Sequence, residues 1–224
     1  MTPSVKILIS GPIRPDDESV CNVIATIKRQ FPSTQTFLCT WAGQLTDTVK
    51  SVVDFAIEVP EPTDACIRDT VWARTRQQRE VGAELEGWTY SIYRMFHGVQ
   101  SVCSFARPYC NDNDLTIRIR TDTIFAFDPS YIETICSQAK TSYVVRNRKS
   151  SGIGFDDWFA MATFKTIQSA WSLPDYNAAV SMAWNAEDVL YQNIRAKNIS
   201  VSFLDDSRLE CYIVRANRQR NYHP

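Results

Sequence analysis

Residues 115–127, LTIRIRTDTIFAF, hold the densest chemistry in the chain. Ile117 and Ile119 alternate with Arg118 and Arg120, Asp122 follows, and a second apolar run covers 124–127. A carboxylate caught between two core segments carries a desolvation penalty of several kcal/mol if it is buried alone, so Asp122 must meet a cation. Two partners satisfy that need: an arginine such as Arg120, giving a structural ion pair, or a divalent metal. Open α/β sheets bind ligands beyond the carboxyl ends of their strands, and Asp122 stands at such an end.

Other reactive groups recur at comparable places. Gly11-Pro12-Ile13-Arg14 breaks an apolar run, where glycine lets the backbone approach a ligand and Arg14 follows within reach. Trp41 ends a second run, and Asp156-Asp157 lies beyond the polar stretch 147–154. Arg74, Arg76 and Arg79 crowd the expected start of a helix, which opposes the helix dipole unless an anion such as a diphosphate sits nearby; a solvated basic face is the alternative. Glu187 and Asp188 fit the first turn of a helix, where acids complement the dipole. Of the two histidines, His97 falls in an aromatic helical stretch that suits packing better than catalysis.

The elements that must position these groups follow from periodicity. Runs at 5–10, 36–40 and 55–59 read as buried strands, the first followed by a helix with Val20, Val23, Ile24, Ile27 and Phe31 on one face. A long helix or helix pair is expected over 74–99, a fourth strand over 115–127, a helix over 129–139 and a strand over 143–146. The stretch 147–154 is a candidate lid, and a helix is expected from 155 to about 171 with Asp156 or Asp157 as its cap. A helix over 186–197 and strands over 200–204 and 212–215 complete the pattern. Strands alternating with helices predict an α/β domain with a mostly parallel central sheet flanked by helices.

The chain has 224 residues, 44% of them apolar, which is ample for the core of one large domain, 1–224. Lys and Arg number 24 against 25 Asp and Glu, so bulk charge does not suit a nucleic-acid or membrane surface, and an anionic partner must meet local clusters. Seven scattered cysteines form no Cys-x-x-Cys pair, which points to a reducing compartment. No run reaches the roughly 18 apolar residues of a membrane span, and the expectation is a soluble, cytoplasmic protein without a signal peptide. The Gly-x-Gly-x-x-Gly, Walker and Gly-x-Ser-x-Gly motifs are missing, which weakens dehydrogenase, P-loop and hydrolase readings.

Taken in order, Ile9-Ser10-Gly11-Pro12-Ile13-Arg14, Phe37-Leu38-Cys39-Thr40-Trp41, Arg79 ahead of Gly87, Arg118-Ile119-Arg120-Thr121-Asp122 and Asp156-Asp157-Trp158-Phe159 resemble the WavE-like GT-A glycosyltransferases. The order is more similar still to the N-terminal glycosyltransferase module of chlorella-virus capsid-glycosylating proteins. The resemblance implies a single GT-A domain with a nucleotide-binding half over about 1–125 and an acceptor-binding half over about 126–224. It implies transfer of a hexose or 6-deoxyhexose from a UDP-sugar to a glycan or glycoprotein acceptor, in capsid or surface-polysaccharide glycosylation, in the host cytoplasm if the source is viral.

By the same resemblance Gly11, Pro12, Ile13 and Arg14 line the nucleotide pocket and Arg79 lies near the donor phosphates or base; Trp41, after the second strand, and Arg120 are also expected to bind the nucleotide donor. Mn²⁺ or Mg²⁺ is expected on Asp122, with His223 as a further ligand, and Asp156 and Asp157 as the catalytic acids facing donor sugar or acceptor. The family's Asp-x-Asp is Arg120-Thr121-Asp122 here, so its first acid is replaced by a cation. An inverting enzyme would use one of these acids, or Glu187 or Asp188, as base, whereas a retaining one can use the leaving diphosphate. Two other classes remain open: a sugar nucleotidyltransferase, and a non-catalytic glycan-binding module that stacks sugars on exposed tryptophans among Trp41, Trp72, Trp88, Trp158, Trp171 and Trp184.

Overall fold

A computed structural model describes residues 4–75, 79, 80, 82, 88–147, 155–214, 220 and 221. The strands are β1 (Val5–Ser10), β2 (Thr34–Trp41), β3 (Phe55–Val59), β4 (Leu115–Arg120), β5 (Thr123–Phe127), β6 (Tyr143–Asn147), β7 (Phe155–Thr163), β8 (Val201–Phe203), β9 (Leu209–Ile213) and β10 (Arg220–Asn221). The helices are α1 (Asp17–Gln30), α2 (Asp47–Lys50), α3 (Asp64–Thr70), α4 (Trp88–Ala106), α5 (Ile132–Ala139), α6 (Phe164–Trp171), α7 (Tyr176–Met182) and α8 (Ala186–Ala196).

β1 is buried at every position except the half-buried Lys6, as a strand covered on both faces must be. It pairs in parallel with β2 and β4, with Ser10 opposite Cys39 on one side and Arg120 on the other. The carboxyl ends of the three strands therefore finish side by side. The main sheet runs β3-β2-β1-β4-β7-β6-β8, and β7 is antiparallel to both its neighbours. β10, β9 and β5 form a second, smaller sheet.

Because successive side chains point to opposite faces of a strand, β1 feeds two cores. Ile7 and Ile9 join Val20, Val23, Ile24 and Ile27 of α1 and Ile135 of α5. Leu8 joins Ile92, Phe96 and Val99 of α4 with residues of α6 and α8. The layers are helix, sheet and helix, the mostly parallel α/β arrangement expected from the strand–helix alternation. α1 is set by local chemistry as well: the Asp16 carboxylate accepts from the Ser19 N–H at 2.8 Å, acids open the helix and Lys28 and Arg29 close it.

Three expectations need correction. The helix expected from 155 begins only at Phe164, capped by the Thr163 hydroxyl, because residues 155–163 are the sheet strand β7. Wedged between β4 and β6, its side chains are buried on both faces, so no alternation betrays it. The single strand expected over 115–127 is two: β4 belongs to the main sheet and β5 to the small one, with Thr121-Asp122 at the break. The expected helix over 74–99 is displaced to α4, and Arg74 lies in irregular chain before it. Arg76 and most of the candidate lid lie outside the described residues. Among the described residues no helix is long and apolar enough to cross a membrane.

The two sheets meet at Phe159 of β7, whose ring lies 4.8 Å from Phe125 and 5.3 Å from Phe127, centroid to centroid. Phe159→Ala opens a cavity at that junction and is expected to cost about 3–5 kcal/mol, read as a lower urea midpoint; a change within experimental error would contradict β7 as the strand joining the sheets.

Candidate functional site

The turn after β1 is built on glycine. Gly11 has φ +135°, and a Cβ there would come within 3.2 Å of the Thr121 hydroxyl oxygen. That hydroxyl donates to the Pro12 carbonyl at 2.6 Å, tying the turn after β1 to the turn after β4. Ile13 donates its N–H to the Gln44 side chain at 2.9 Å and packs against the core.

Behind this junction Asp122 is buried, with its side chain 2% exposed. Its two oxygens receive a fork from Arg120, Nε to Oδ1 and Nη2 to Oδ2, both at 2.9 Å. Arg14 adds a third bond, Nε to Oδ2 at 3.0 Å. Burial alone would raise the Asp122 pKa, but Arg120 and then Arg14 outweigh it and hold the carboxyl below its ordinary range. Arg120 also reaches Asp157 Oδ2 at 3.5 Å, and although burial opposes its charge, Asp157 and Asp122 raise its pKa.

Arg118 is buried more deeply. Its Nη1 donates to the Asp157 carbonyl, and its guanidinium lies 4.3 Å from the centre of the Trp171 ring. Its buried Nε has no hydrogen-bond partner among the described residues, and burial pulls its pKa down to about 10. Asp156 is on the other side of the pleat from Asp157 and accepts from the Trp158 N–H at 2.8 Å.

These groups border a cavity of about 510 Å³, the size of a small-ligand site. Ser10, Gly11, Pro12, Arg14, Trp41, Arg118, Arg120 and Asp157 line it from the sheet; Ser91, Ile92, Arg94, Met95 and Gly98 line it from α4. Glu61 and the start of α8, from Asn185 to Glu187, complete the wall. Trp41 is held from behind by His97, whose ring centre lies 6.3 Å away at 24° and which stacks in turn on Tyr93. Burial lowers the His97 pKa, as suits a packing role. Gly98 of α4 faces the Trp41 ring, and a Cβ there would sit in ordinary contact with it at 3.5 Å.

The fold thus gathers Gly11, Pro12, Arg14, Trp41, Arg120 and Asp157 around one cavity and sets Asp122 behind them. It does not bring Ile13, Asp156 or Arg79 to the cavity wall. Arg79 spends its guanidinium on the carbonyls of Arg74 and Ser181. His223 lies outside the described residues. Asp188 is a helix-cap group, accepting from Trp184 N at 2.8 Å, whereas Glu187 faces the cavity. Sequence reading missed Arg94, Glu61 and the α4 wall. A partial signal was present: Ser91, Arg94 and Gly98 fall at helical spacing and interrupt the apolar face of the helix.

The sequence matches no protein-family model and no curated protein. Solved structures do match. The glycosyltransferase GlyE of Streptococcus pneumoniae superposes with a TM-score of 0.50 at 10% identity over 92% of this chain and 46% of its own, so this chain spans about half its length. A 4-diphosphocytidyl-2C-methyl-D-erythritol synthase superposes at 0.50, 8% identical, over 100% of this chain and 94% of its own. The galactosyltransferase LgtC, solved with donor and acceptor sugar analogues, gives 0.48 at 10% identity over 90% and 73%.

The fold is that of the GT-A nucleotide-diphospho-sugar transferases. In this GT-A fold the cavity occupies the carboxyl ends of β1, β2 and β4, where α/β sheets place ligands. The residues there do not fit a divalent ion on Asp122. Both of its oxygens are taken by guanidinium groups that an arriving cation would have to displace. Among the described residues, no three His, Cys, Asp or Glu side chains gather into a metal cage.

Asp122→Asn removes the carboxylate that both Arg120 and Arg14 bond, leaving Arg120 only its longer contact to Asp157, and is expected to lower stability by about 3 kcal/mol, measured by urea unfolding at neutral pH. The folded pKa of Asp122 lies below its unfolded value, so its contribution is complete above the ordinary carboxylate range and is lost as pH falls through the folded value. Between about pH 4 and lower values, wild-type midpoints should therefore fall more steeply than those of Asp122→Asn. Parallel pH profiles would contradict the network.

Proposed function

We propose that this chain is a glycosyltransferase that moves a hexose or 6-deoxyhexose from a nucleoside-diphosphate sugar, with UDP as the carrier, to the hydroxyl of a glycan acceptor. The observation that carries the reading is the grouping of Arg14, Arg118 and Arg120 on the cavity wall beside Asp157, with Trp41 close by. Guanidinium groups suit a diphosphate, an aromatic edge suits a base, and a carboxylate suits a sugar or acceptor hydroxyl. The acceptor class, a surface polysaccharide or capsid glycoprotein, comes from the resemblance in the sequence.

In the proposed reaction the acceptor oxygen bonds to the anomeric carbon while the bond from that carbon to the diphosphate breaks. The bonding electron pair leaves on the terminal phosphate oxygen, where the arginines meet the developing charge. Asp157 takes the acceptor proton, the role of a general base in an inverting transfer. Glu187, across the cavity, orients the sugar hydroxyls.

A second reading is favoured by one observation: the 4-diphosphocytidyl-2C-methyl-D-erythritol synthase superposes as well as GlyE does. In that reading the chain joins a nucleotide to a sugar phosphate and releases pyrophosphate. Against it, the turn after β1 is short and has a single glycine for cradling a triphosphate. The glycan-binding module loses support because, among the described tryptophans, only Trp72 is well exposed, at 73%.

Incubation with nucleotide sugars and glycan acceptors is expected to release nucleoside diphosphate. Asp157→Asn should lower kcat about 100-fold with donor affinity nearly unchanged. Pyrophosphate release from a nucleoside triphosphate and a sugar 1-phosphate would establish the second reading instead. Equal kcat in the Asp157→Asn variant would remove that residue from the chemistry.

A further inference from the structure

We propose that the site holds the donor diphosphate with arginine side chains in place of a divalent cation, Arg14 and Arg120 forming the clamp and Asp122 its anchor. The proposal rests on the nucleotide-sugar reading and adds the means of phosphate recognition.

The carboxylate at position 122 is committed. Arg120 occupies one lone-pair direction on each oxygen and Arg14 takes a further one on Oδ2. A divalent ion approaching Asp122 meets two guanidinium groups whose positive charge repels it.

The local charge points the same way. Arg14, Arg118 and Arg120 set three positive charges against the carboxylates of Asp122 and Asp157 that they touch or adjoin, which leaves this part of the wall with a surplus of one positive charge. Cationic groups suited to a diphosphate are thus present in the side chains.

Arg14 has the geometry of a clamp. Its Nε is pinned to Asp122, its side chain is 51% exposed, and it borders the cavity. Its two terminal nitrogens have no bonding partner among the described residues. They are the part of the fork that engages two phosphate oxygens at once. Arg118 adds a second unspent group, a buried Nε on the same wall. Anchoring one end of a guanidinium to a buried carboxylate removes much of the side-chain freedom that phosphate binding would otherwise have to freeze, so the donor meets a prepared site.

Calorimetry on the full chain tests this, with UDP as the probe, GDP, CDP and dTDP in parallel, and each titration run once with EDTA and once with Mn²⁺. The expected result is a diphosphate affinity that is the same in both buffers and that falls about tenfold or more in Arg14→Ala, while any binding of the phosphate-free nucleoside is unchanged. Arg14 is half exposed, so this variant folds, and its far-UV circular dichroism should match wild type. Binding that requires Mn²⁺ would overturn the proposal and leave the nucleotide-sugar reading standing. Binding in EDTA that Arg14→Ala does not weaken would overturn the clamp. If none of the four nucleotides binds in either buffer, the nucleotide-sugar reading falls and the proposal with it.

Discussion

The buried pair of Asp122 with Arg120 is the interaction on which the rest of the site depends. A carboxylate that is 2% exposed at the break between two sheets is tolerable only when its charge is met, and Arg120 meets it with two bonds of 2.9 Å. Once Asp122 is fixed, Arg14 is drawn across from the neighbouring turn, and Arg120 is left free to touch Asp157. Three separate segments, the ends of β1 and β4 and the start of β7, are joined in this way through charge.

The sheet supplies the register that makes this possible. Ser10 lies opposite Arg120 in the parallel pairing of β1 with β4, so the turn carrying Arg14 begins level with Arg120. Because β7 runs against β4, with Phe159 opposite Ile119, its beginning rather than its end arrives at the same edge. Asp157 reaches the cavity for that reason. Gly11 then lets the first turn close onto Thr121, at a distance that a Cβ would crowd.

Much of this was legible from residue order. β1, β2, β3 and β6 are apolar runs bounded by polar or breaker residues, and α1 carries its cap, stripe and terminal charges in the sequence itself. β7 was not legible, because a strand buried on both faces has no alternation and Asp156-Asp157 imitates a helix cap. In the site, the type and place of Arg14, Trp41 and Arg120 could be read from where apolar runs end, whereas Asp157 could be read only as an acid beyond the polar stretch 147–154 and was given the wrong element. The partner of Asp122 could not, since a metal and an arginine satisfy the same buried charge and only side-chain geometry separates them. Arg79 misled for the same reason: its cationic character is visible in sequence, but its use on the Arg74 and Ser181 carbonyls is a tertiary fact.

The most direct measurement is a crystal structure of the full chain grown in EDTA with a bound UDP-sugar or with UDP. The account predicts the diphosphate in the cavity of about 510 Å³, its oxygens within about 3 Å of Arg14 and Arg120, and Asp122 still bonded to both guanidinium groups. A nucleotide bound elsewhere on the molecule, or an Asp122 turned away from its arginines, would contradict it.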